Sequence, residues 1–326
     1  MNEQIARAAA LLRAGELVAF PTETVYGLGA DAANPEAVAK IFAAKGRPAD
    51  HPLIVHIAGA DRLDAWAREV PEQARALAAA FWPGPLTLIL KRSGLVPDAV
   101  TGGQDTVGLR VPNHPLALAL LAEFGGGVAA PSANRFGRIS PTTADHVRAE
   151  LGDAVRLVVD GGPCAVGIES TIVDLSRGAP VVLRPGAISA ADIARVLGAS
   201  PVEGSPADER PRVSGSLAAH YAPSSPLRLI EDAALEAETR AALARGSCVA
   251  VLSRRPPPFA AAELIWHVAP GDATGYAREL YAALRELDAA RPNLILVEAP
   301  PQEAAWSAVA DRLQRAARGS GEDENP

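Results

Sequence analysis

The stretch PTETVYGLG, residues 21–29, follows the short apolar run LVAF, residues 17–20. The apolar run predicts a strand that ends at Pro21, and the polar stretch predicts a loop. Loops at strand ends are where α/β proteins place their ligands. The threonines, the tyrosine and the glycines of this stretch let hydroxyls and backbone approach a small ligand closely. An ordinary glycine turn explains the same residues equally well.

Similar polar clusters follow apolar runs or helices farther along the chain. They are KGRP (45–48), GLRVP (108–112), APSAN (130–134), GIEST (167–171) and LRPG (183–186). Lys45 and Arg47 suit a polyphosphate, one as a point charge and one as a planar fork, with a solvated helix end as the alternative. Arg110 lies inside an apolar run, where a charge is costly unless a partner such as a ligand carboxylate pairs with it. Each cluster alone is also compatible with a structural role.

Composition narrows the classes of function. The net charge is −7 and no long basic run occurs, which argues against a protein that binds nucleic acid mainly through phosphate neutralisation. No apolar run approaches the ~18 residues that span a bilayer, and the N-terminus lacks a signal-peptide pattern. The two cysteines are far apart and form no CxxC pair. These features predict a cytoplasmic protein without a membrane partner and without metal-ligating residues.

The chain of 326 residues is long enough for two domains. Mixed strand and helix patterns predict an α/β or α+β domain with a large sheet in residues 1–203. Residues 204–226 are rich in Ser, Pro, Gly and charge and predict a linker. Strands alternating with helices in residues 227–318 predict a small parallel three-layer domain. The polar tail, residues 319–326, is expected to be disordered.

Standard nucleotide and nucleophile motifs are missing from the sequence. It contains no GxxxxGK[ST], no GxGxxG between a strand and a helix, and no HExxH. No Ser-His-Asp or Cys-His pattern stands out either. If the protein handles ATP, it does so through other residues.

Taken in chain order, the clusters resemble the YrdC-like family. The resemblance spans residues 15–186 and rests on PTETVYGLG, KGRP, HPLIVHI, FWPGPLTLIL, GLRVPNHPLA, APSAN, SPT, GIESTIVD and LRPG. With the motif HYAP (220–223) and the α/β pattern that follows it, the chain is similar to the two-domain threonylcarbamoyl-adenylate synthases. The resemblance implies a YrdC-like domain with a twisted mixed sheet, mostly parallel, followed by a small Rossmann-like three-layer α/β domain.

The resemblance also implies a set of site residues. Lys45 and Arg47 are the implied catalytic charges. The residues implied to bind ATP are Arg47, His51, Thr106, Ser132, Asn134, Ser140, Arg184 and Tyr221. The residues implied to bind threonine are Thr24, His56, Arg110, the backbone of Ala130, and Ser170. Magnesium is expected to arrive with ATP rather than on protein ligands.

The activity implied by the resemblance is the joining of L-threonine, bicarbonate and ATP into threonylcarbamoyl-AMP and pyrophosphate. The product serves threonylcarbamoyladenosine formation next to the tRNA anticodon, so tRNA-modifying proteins are the implied partners, with RNA as a further candidate. The alternative is a non-catalytic RNA-binding or ribosome-associated module. A third interpretation is the carbamoyl-transfer domain of hydrogenase maturation proteins. Those proteins carry zinc-finger-like and acylphosphatase-like regions, and this sequence contains neither.

The linker departs from the family pattern. Relatives often have Ser-Pro-Gly and a basic residue before His-Tyr-Ala-Pro, whereas this chain reads VSGSLAA at residues 213–219. A charge contact from the linker is therefore in doubt. Tyr221 predicts a lid over the adenine or ribose, and the alternative is a ring that only pins the linker to one domain.

Overall fold

The computed structural model of the protein describes residues 3–202 and 211–321. Their contacts separate two compact units. The first contains the described residues of Met1–Phe136, Pro141–Ala165 and Glu169–Ser216, and the second those of Gly137–Ser140, Val166–Ile168 and Leu217–Pro326. The predicted domain boundaries at residues 203 and 226 stay predictions. Of the predicted disordered tail, residues 322–326 lie outside the described residues.

A nine-stranded mixed sheet forms the centre of the first unit, in the order β7-β1-β2-β6-β3-β5-β4-β8-β9. Five of the eight strand pairings among the described residues are antiparallel. The mixed sheet is confirmed, and the expectation that parallel strands dominate it is wrong. The strands are β1 (Val18–Phe20), β2 (Gly27–Asp31), β3 (Ile54–His56), β4 (Leu86–Lys91), β5 (Thr106–Arg110), β6 (Val128–Ala129), β7 (Leu157–Val158), β8 (Thr171–Asp174) and β9 (Val181–Arg184).

Strand β2 is a correction to the sequence prediction, which placed a loop throughout residues 21–29. Its sequence GLGAD has neither β-branched residues nor alternating polarity, so the pattern did not indicate a strand. The glycines are required by close packing, since a Cβ on Gly29 would lie 2.8 Å from Cγ1 of Val128 and 2.9 Å from the ring of Phe20. β2 pairs antiparallel with β1 and β6, which places the start of the PTETVYGLG stretch at the end of the sheet strands.

Helices cover the sheet and supply two cores. They are α1 (Glu3–Arg13), α2 (Pro35–Lys45), α3 (Leu63–Trp66), α4 (Glu72–Phe81), α5 (Asp98–Thr101), α6 (Pro115–Phe124), α7 (Ala144–Leu151) and α8 (Ala190–Leu197). Ile5 and Leu12 of α1 pack with Leu120 of α6 in one core. Ile41 of α2 and Leu77 of α4 belong to the other.

Helix α2 follows from its sequence. Asn34 accepts hydrogen bonds from two backbone N–H groups of the first turn, Pro35 occupies the first turn, and Gly46 ends the helix with a left-handed φ of 64°. This helix end fixes where the KGRP cluster begins.

The second unit contains a four-stranded parallel sheet in the order β10-β13-β11-β12. Its elements are β10 (Leu227–Ile230), α9 (Asp232–Ala244), β11 (Val249–Ser253), β12 (Leu264–Val268), α10 (Ala273–Ala289), β13 (Leu294–Glu298) and α11 (Ser307–Gly319). The predicted small parallel domain is confirmed. A 3₁₀ turn, Ala304–Trp306, precedes α11 and continues into it.

Within residues 3–202 and 211–321, no helix combines the length and the apolar character needed to cross a membrane.

Candidate active site

The PTETVYGLG stretch and the APSAN cluster lie side by side in the first unit. The N–H of Leu28 donates to the carbonyl of Pro131 at 2.8 Å, and the N–H of Ala133 donates to the carbonyl of Tyr26 at 2.8 Å. Gly27 also forms an isolated antiparallel bridge with Ser132. Two clusters that are about a hundred residues apart in sequence therefore form one surface, as expected for loops at neighbouring strand ends.

Lys45 joins the KGRP cluster to the APSAN cluster. Its ammonium donates to the carbonyl oxygens of Ser132 at 2.6 Å and Asn134 at 2.5 Å. Burial, and secondly the charge of Arg47, holds the pKa of Lys45 well below its usual value. These contacts indicate that Lys45 positions the two clusters. Its predicted direct contact with a phosphate stays a prediction.

Arg47 extends from the turn after α2. Its Nη2 donates to the carbonyl of Pro52 at 2.9 Å and to the hydroxyl of Ser214 at 3.1 Å, and its guanidinium lies 5.7 Å from the centre of the Phe136 ring. His51 packs edge-on against the same ring at 5.3 Å. Burial, followed by the charge of Arg47, lowers the pKa of His51. Its imidazole is therefore neutral near pH 7.

Arg184, at the end of β9, is held by Ser170. Its Nε and Nη2 donate to the Ser170 carbonyl at 3.0 and 2.9 Å, and Nη2 also donates to the Ser170 hydroxyl at 3.1 Å. That hydroxyl lies 2.7 Å from the hydroxyl of Thr87. Gly186 permits the close approach, because a Cβ there would lie 2.4 Å from the backbone nitrogen of Thr171. A residue predicted to bind ATP thus contacts one predicted to bind threonine.

Ser214 connects the two arginines predicted to bind ATP. Its hydroxyl accepts a hydrogen bond from Arg47, and its carbonyl accepts one from Nη1 of Arg184 at 2.7 Å. The neighbouring Val213 is 8% exposed and packs against three isoleucines of the sheet. Thr106 and Ser214 line the same cleft. Sequence reasoning treated this part of the linker only as a departure from the family motif, since its polar composition carries no signal for packing on the sheet.

His56 and Arg110 are direct neighbours across the parallel strands β3 and β5. Burial, and secondly the charge of Arg110, lowers the pKa of His56 to about 3. The site therefore offers a neutral imidazole beside a permanent cation, which suits the hydroxyl and the carboxylate of an amino acid. Ala130 lies beside them, with its N–H donating to the carbonyl of Ile54 at 2.9 Å.

The protein itself supplies a carboxylate to Arg110. Nη2 of Arg110 lies 2.8 Å from Oε2 of Glu23, and both side chains are buried. The sequence prediction offered a ligand carboxylate as the partner and did not single out Glu23, so that interpretation was incomplete. Thr24, next to Glu23, is fully buried, with its hydroxyl 2.9 Å from that of Thr22. The signal for Glu23 was an acidic residue in a cluster that is otherwise uncharged.

Two of the predicted ATP-binding residues, Ser140 and Tyr221, belong to the second unit. Tyr221 is 1% exposed and has a positive φ of 62°. Its ring lies 4.2 Å from that of His220 and 5.7 Å from that of Tyr281, with the guanidinium of Arg312 5.4 Å away. These neighbours are the packing expected of a ring that pins the linker to its own domain. The lid role stays a prediction.

The mixed sheet, with basic and hydroxyl side chains gathered at its strand ends, defines an α/β domain built to bind small molecules. A family model described as telomere recombination, for Sua5, YciO and YrdC proteins, matches residues 10–186. A second model, described as the C-terminal domain of threonylcarbamoyl-AMP synthase, matches residues 188–318. The chain belongs to the Sua5–YciO–YrdC family in its two-domain form.

Relatives and solved structures match nearly the whole chain. The threonylcarbamoyl-AMP synthase of Bacillus subtilis is 42% identical, covering 98% of this chain and 94% of that protein. The threonylcarbamoyl-AMP synthase of Pyrococcus abyssi is 41% identical, covering 95% of this chain and 92% of that protein. A crystal structure of Pyrococcus abyssi Sua5 complexed with L-threonine matches with a TM-score of 0.89 at 39% identity, covering 97% of this chain and 94% of that one.

Proposed function

We propose that this chain is an L-threonylcarbamoyladenylate synthase, which converts L-threonine, bicarbonate and ATP into threonylcarbamoyl-AMP and pyrophosphate. Relatives that carry this name match both units of the chain. The observation that carries the proposal is the contact between Arg184, which is proposed to bind ATP, and Ser170, which is proposed to bind threonine. Arg184 ends β9, and Ser170 directly precedes the neighbouring strand β8. A reaction that joins threonine to a nucleotide requires the two substrates to meet at such a place.

The residues of the first unit account for the chemistry. Arg110 and the neutral His56 hold threonine while its amine and bicarbonate give a carbamate and water. An oxygen of the carbamate then attacks the α-phosphorus of ATP. Arg47 and Arg184 stabilise the negative charge that develops as pyrophosphate leaves. Positioning the reactants supplies up to about 7–11 kcal/mol of the barrier reduction. No protein nucleophile is required for this route.

The experiment that tests the proposal is a pyrophosphate-release assay with the purified full chain. Release should require threonine, bicarbonate and MgATP together, because the carbamate forms only from the first two. Each substrate is omitted in turn as a control. Release that continues unchanged without threonine or without bicarbonate would show a different activity.

Finer features of the proposal rest on the chemistry of the reaction. Among the residues that the structure describes, no group of three or more His, Cys, Asp or Glu is placed to hold a metal ion. Magnesium is proposed to enter as MgATP, carried by the phosphates. The product is an activated intermediate, so we propose cytoplasmic tRNA-modifying proteins as its recipients, with RNA as a further candidate partner.

Selectivity against serine depends on one methyl group of threonine. In an apolar pocket one such group contributes only about 1–3 kcal/mol. We therefore propose that serine is a weak alternative substrate rather than an excluded one.

A further inference from the structure

The contact between Glu23 and Arg110 is unusual for a buried ion pair. The side chains are 6% and 5% exposed, and Nη2 of Arg110 lies 2.8 Å from Oε2 of Glu23. Within the described residues, neither carboxylate oxygen accepts an aligned hydrogen bond. A buried carboxylate normally accepts hydrogen bonds from several donors, because one ion pair rarely offsets the free-energy cost of removing the carboxylate from water. The arrangement therefore calls for a role beyond stability.

The chain around Glu23 is fixed by its neighbours. The hydroxyl of Thr22 donates to the carbonyl of Val25 at 2.6 Å and accepts from the N–H groups of Thr24 and Val25, both at 3.2 Å. On the other side, Nε of Arg110 donates to the carbonyl of Gly84 at 3.3 Å. Hydrogen bonds thus hold the backbone on both sides of Glu23 and the guanidinium of Arg110, and the ion pair joins the two side chains.

The other titratable groups near Glu23 do not balance its charge. Burial, and secondly the negative charge of Glu23, raises the pKa of the Cys164 thiol to about 12, so this thiol is neutral. Burial lowers the pKa of His114, so its imidazole is neutral near pH 7. Among the described residues in contact with Glu23, Arg110 is therefore the cation that pairs with its carboxylate.

We propose that Glu23 and Arg110 together recognise the zwitterionic end of threonine. Arg110 receives the α-carboxylate, and the negative charge of Glu23 attracts the α-ammonium. This inference rests on the proposed function, because it assumes that threonine binds at Arg110. The two charged groups of an α-amino acid are attached to the same carbon, so a carboxylate on Arg110 brings the ammonium to within a few ångströms of Glu23.

The interaction does not require Glu23 to be open to water. In a dry interior, charges interact over several ångströms with little screening by salt or solvent. Glu23 also balances the charge of Arg110. A ligand that carries only a carboxylate therefore gains less binding free energy there than it would at an isolated arginine. The pair therefore selects an amino acid over an acid that lacks the ammonium.

The test compares two ligands by calorimetric titration of the full chain. L-Threonine carries the ammonium, and 3-hydroxybutanoate has the same skeleton without it. The wild type should prefer threonine. Glu23→Gln should bind threonine about ten- to a hundredfold more weakly, as expected for loss of a charge-assisted interaction. Its affinity for 3-hydroxybutanoate should be unchanged or higher.

Glu36→Gln, an exposed glutamate of α2, is the control and should keep the wild-type preference. If folded Glu23→Gln loses affinity for both ligands by the same factor, Glu23 only supports the fold around Arg110. That result would overturn the inference. Unchanged binding of both ligands would overturn it as well.

A second variant covers the case in which Glu23→Gln does not fold. Glu23→Asp keeps the charge, so it should keep a preference for threonine over 3-hydroxybutanoate. A folded Glu23→Asp without that preference would contradict the inference. Failure of the wild type to bind threonine at all is a different result, because it would refute the proposed function itself.

Discussion

Arg47 and Arg184, which are proposed to bind the phosphates of ATP, are held by oxygen atoms of the protein. Arg47 donates to the Pro52 carbonyl, and Arg184 donates to Ser170. Each guanidinium carries five donors in a fixed plane, so backbone oxygens can orient it while other donors reach a ligand. Such preorganisation is what stabilises charge as it develops in a transition state.

Replacing Arg47 with alanine should lower turnover by on the order of a hundredfold or more, because a donor to the developing phosphate charge is lost. The fold should survive, since Arg47 belongs to neither of the two apolar cores of the first unit. The measurement is kcat for pyrophosphate release, with the melting temperature recorded on the same samples.

Arg156→Ala is the matched control, because that arginine is exposed. It should leave kcat unchanged. If Arg47→Ala melts several degrees lower but keeps full activity per folded molecule, Arg47 has only a structural role.

The depressed pKa of His56 predicts a pH-dependent stability. The pKa is about 3 in the folded chain and 6.5 when exposed, so below pH 6.5 the unfolded state binds a proton that the folded state does not. The contribution of neutral His56 to the free energy of unfolding is fully present above pH 6.5, and it is lost as the pH falls towards 3. Between pH 7.5 and pH 5, the wild type should lose about 2 kcal/mol more of its free energy of unfolding than His56→Gln.

Urea unfolding of both proteins at the two pH values measures this difference. The remaining histidines are common to both proteins, so their contributions cancel. Parallel pH dependence in the wild type and His56→Gln would mean that His56 becomes protonated in the folded state.

At the scale of elements, residues 211–216 of the linker behave as part of the first unit. Arg212 pairs with Asp50 at 2.9 Å and donates to the carbonyl of Gly102 at 2.9 Å. Val213 contributes to an apolar cluster on the sheet, and Ser214 bonds the two arginines. A nucleotide that approaches both arginines meets Ser214, which is hydrogen-bonded to each of them, so this segment is expected to respond to ligands.

Limited proteolysis of the linker should be slower when ATP and threonine are both present, because closure adds contacts only with ligands bound. A chain ending at residue 206 should fold with weak or absent synthase activity. A chain ending at residue 216 should be more stable, since burial of the Val213 side chain contributes about 1.5–3 kcal/mol. It should still lack activity if Tyr221 acts as a lid.

The pair of truncated chains separates the two roles of the linker. Full activity of the chain ending at residue 216 would show that Tyr221 only pins the linker. Cleavage of the full-length linker at the same rate with and without ligands would show a passive tether.

The elements differ in how far the sequence predicted them. Helix α2 depends on local signals, because Asn34, Pro35 and Gly46 define its start and its end through contacts within a few residues. Strand β2 was missed, because its five residues are stabilised by β1 and β6 rather than by their own propensity. The order of the nine strands, with antiparallel pairs in the majority, depends on long-range pairing that periodicity does not encode.

At the scale of the whole molecule, the chain forms two units with separate cores. Composition and periodicity predicted both: a large mixed domain first and a small parallel domain second. The family models divide the chain earlier, with one ending at residue 186 and the other beginning at residue 188, whereas the first unit extends to Ser216. Composition and periodicity can predict two units, because each domain needs its own pattern of apolar residues to bury its own core.

The sequence by itself determined the family, the order of the polar clusters and the types of residue available to the site. Those properties are read along the chain, where motif spacing and helix caps are local. Only the tertiary structure decided which clusters meet: Lys45 on the APSAN carbonyls, Ser214 between Arg47 and Arg184, and Glu23 against Arg110. Each of these contacts joins residues about 30 or more apart along the chain. The folding of the sheet creates such proximity, and no local pattern contains it.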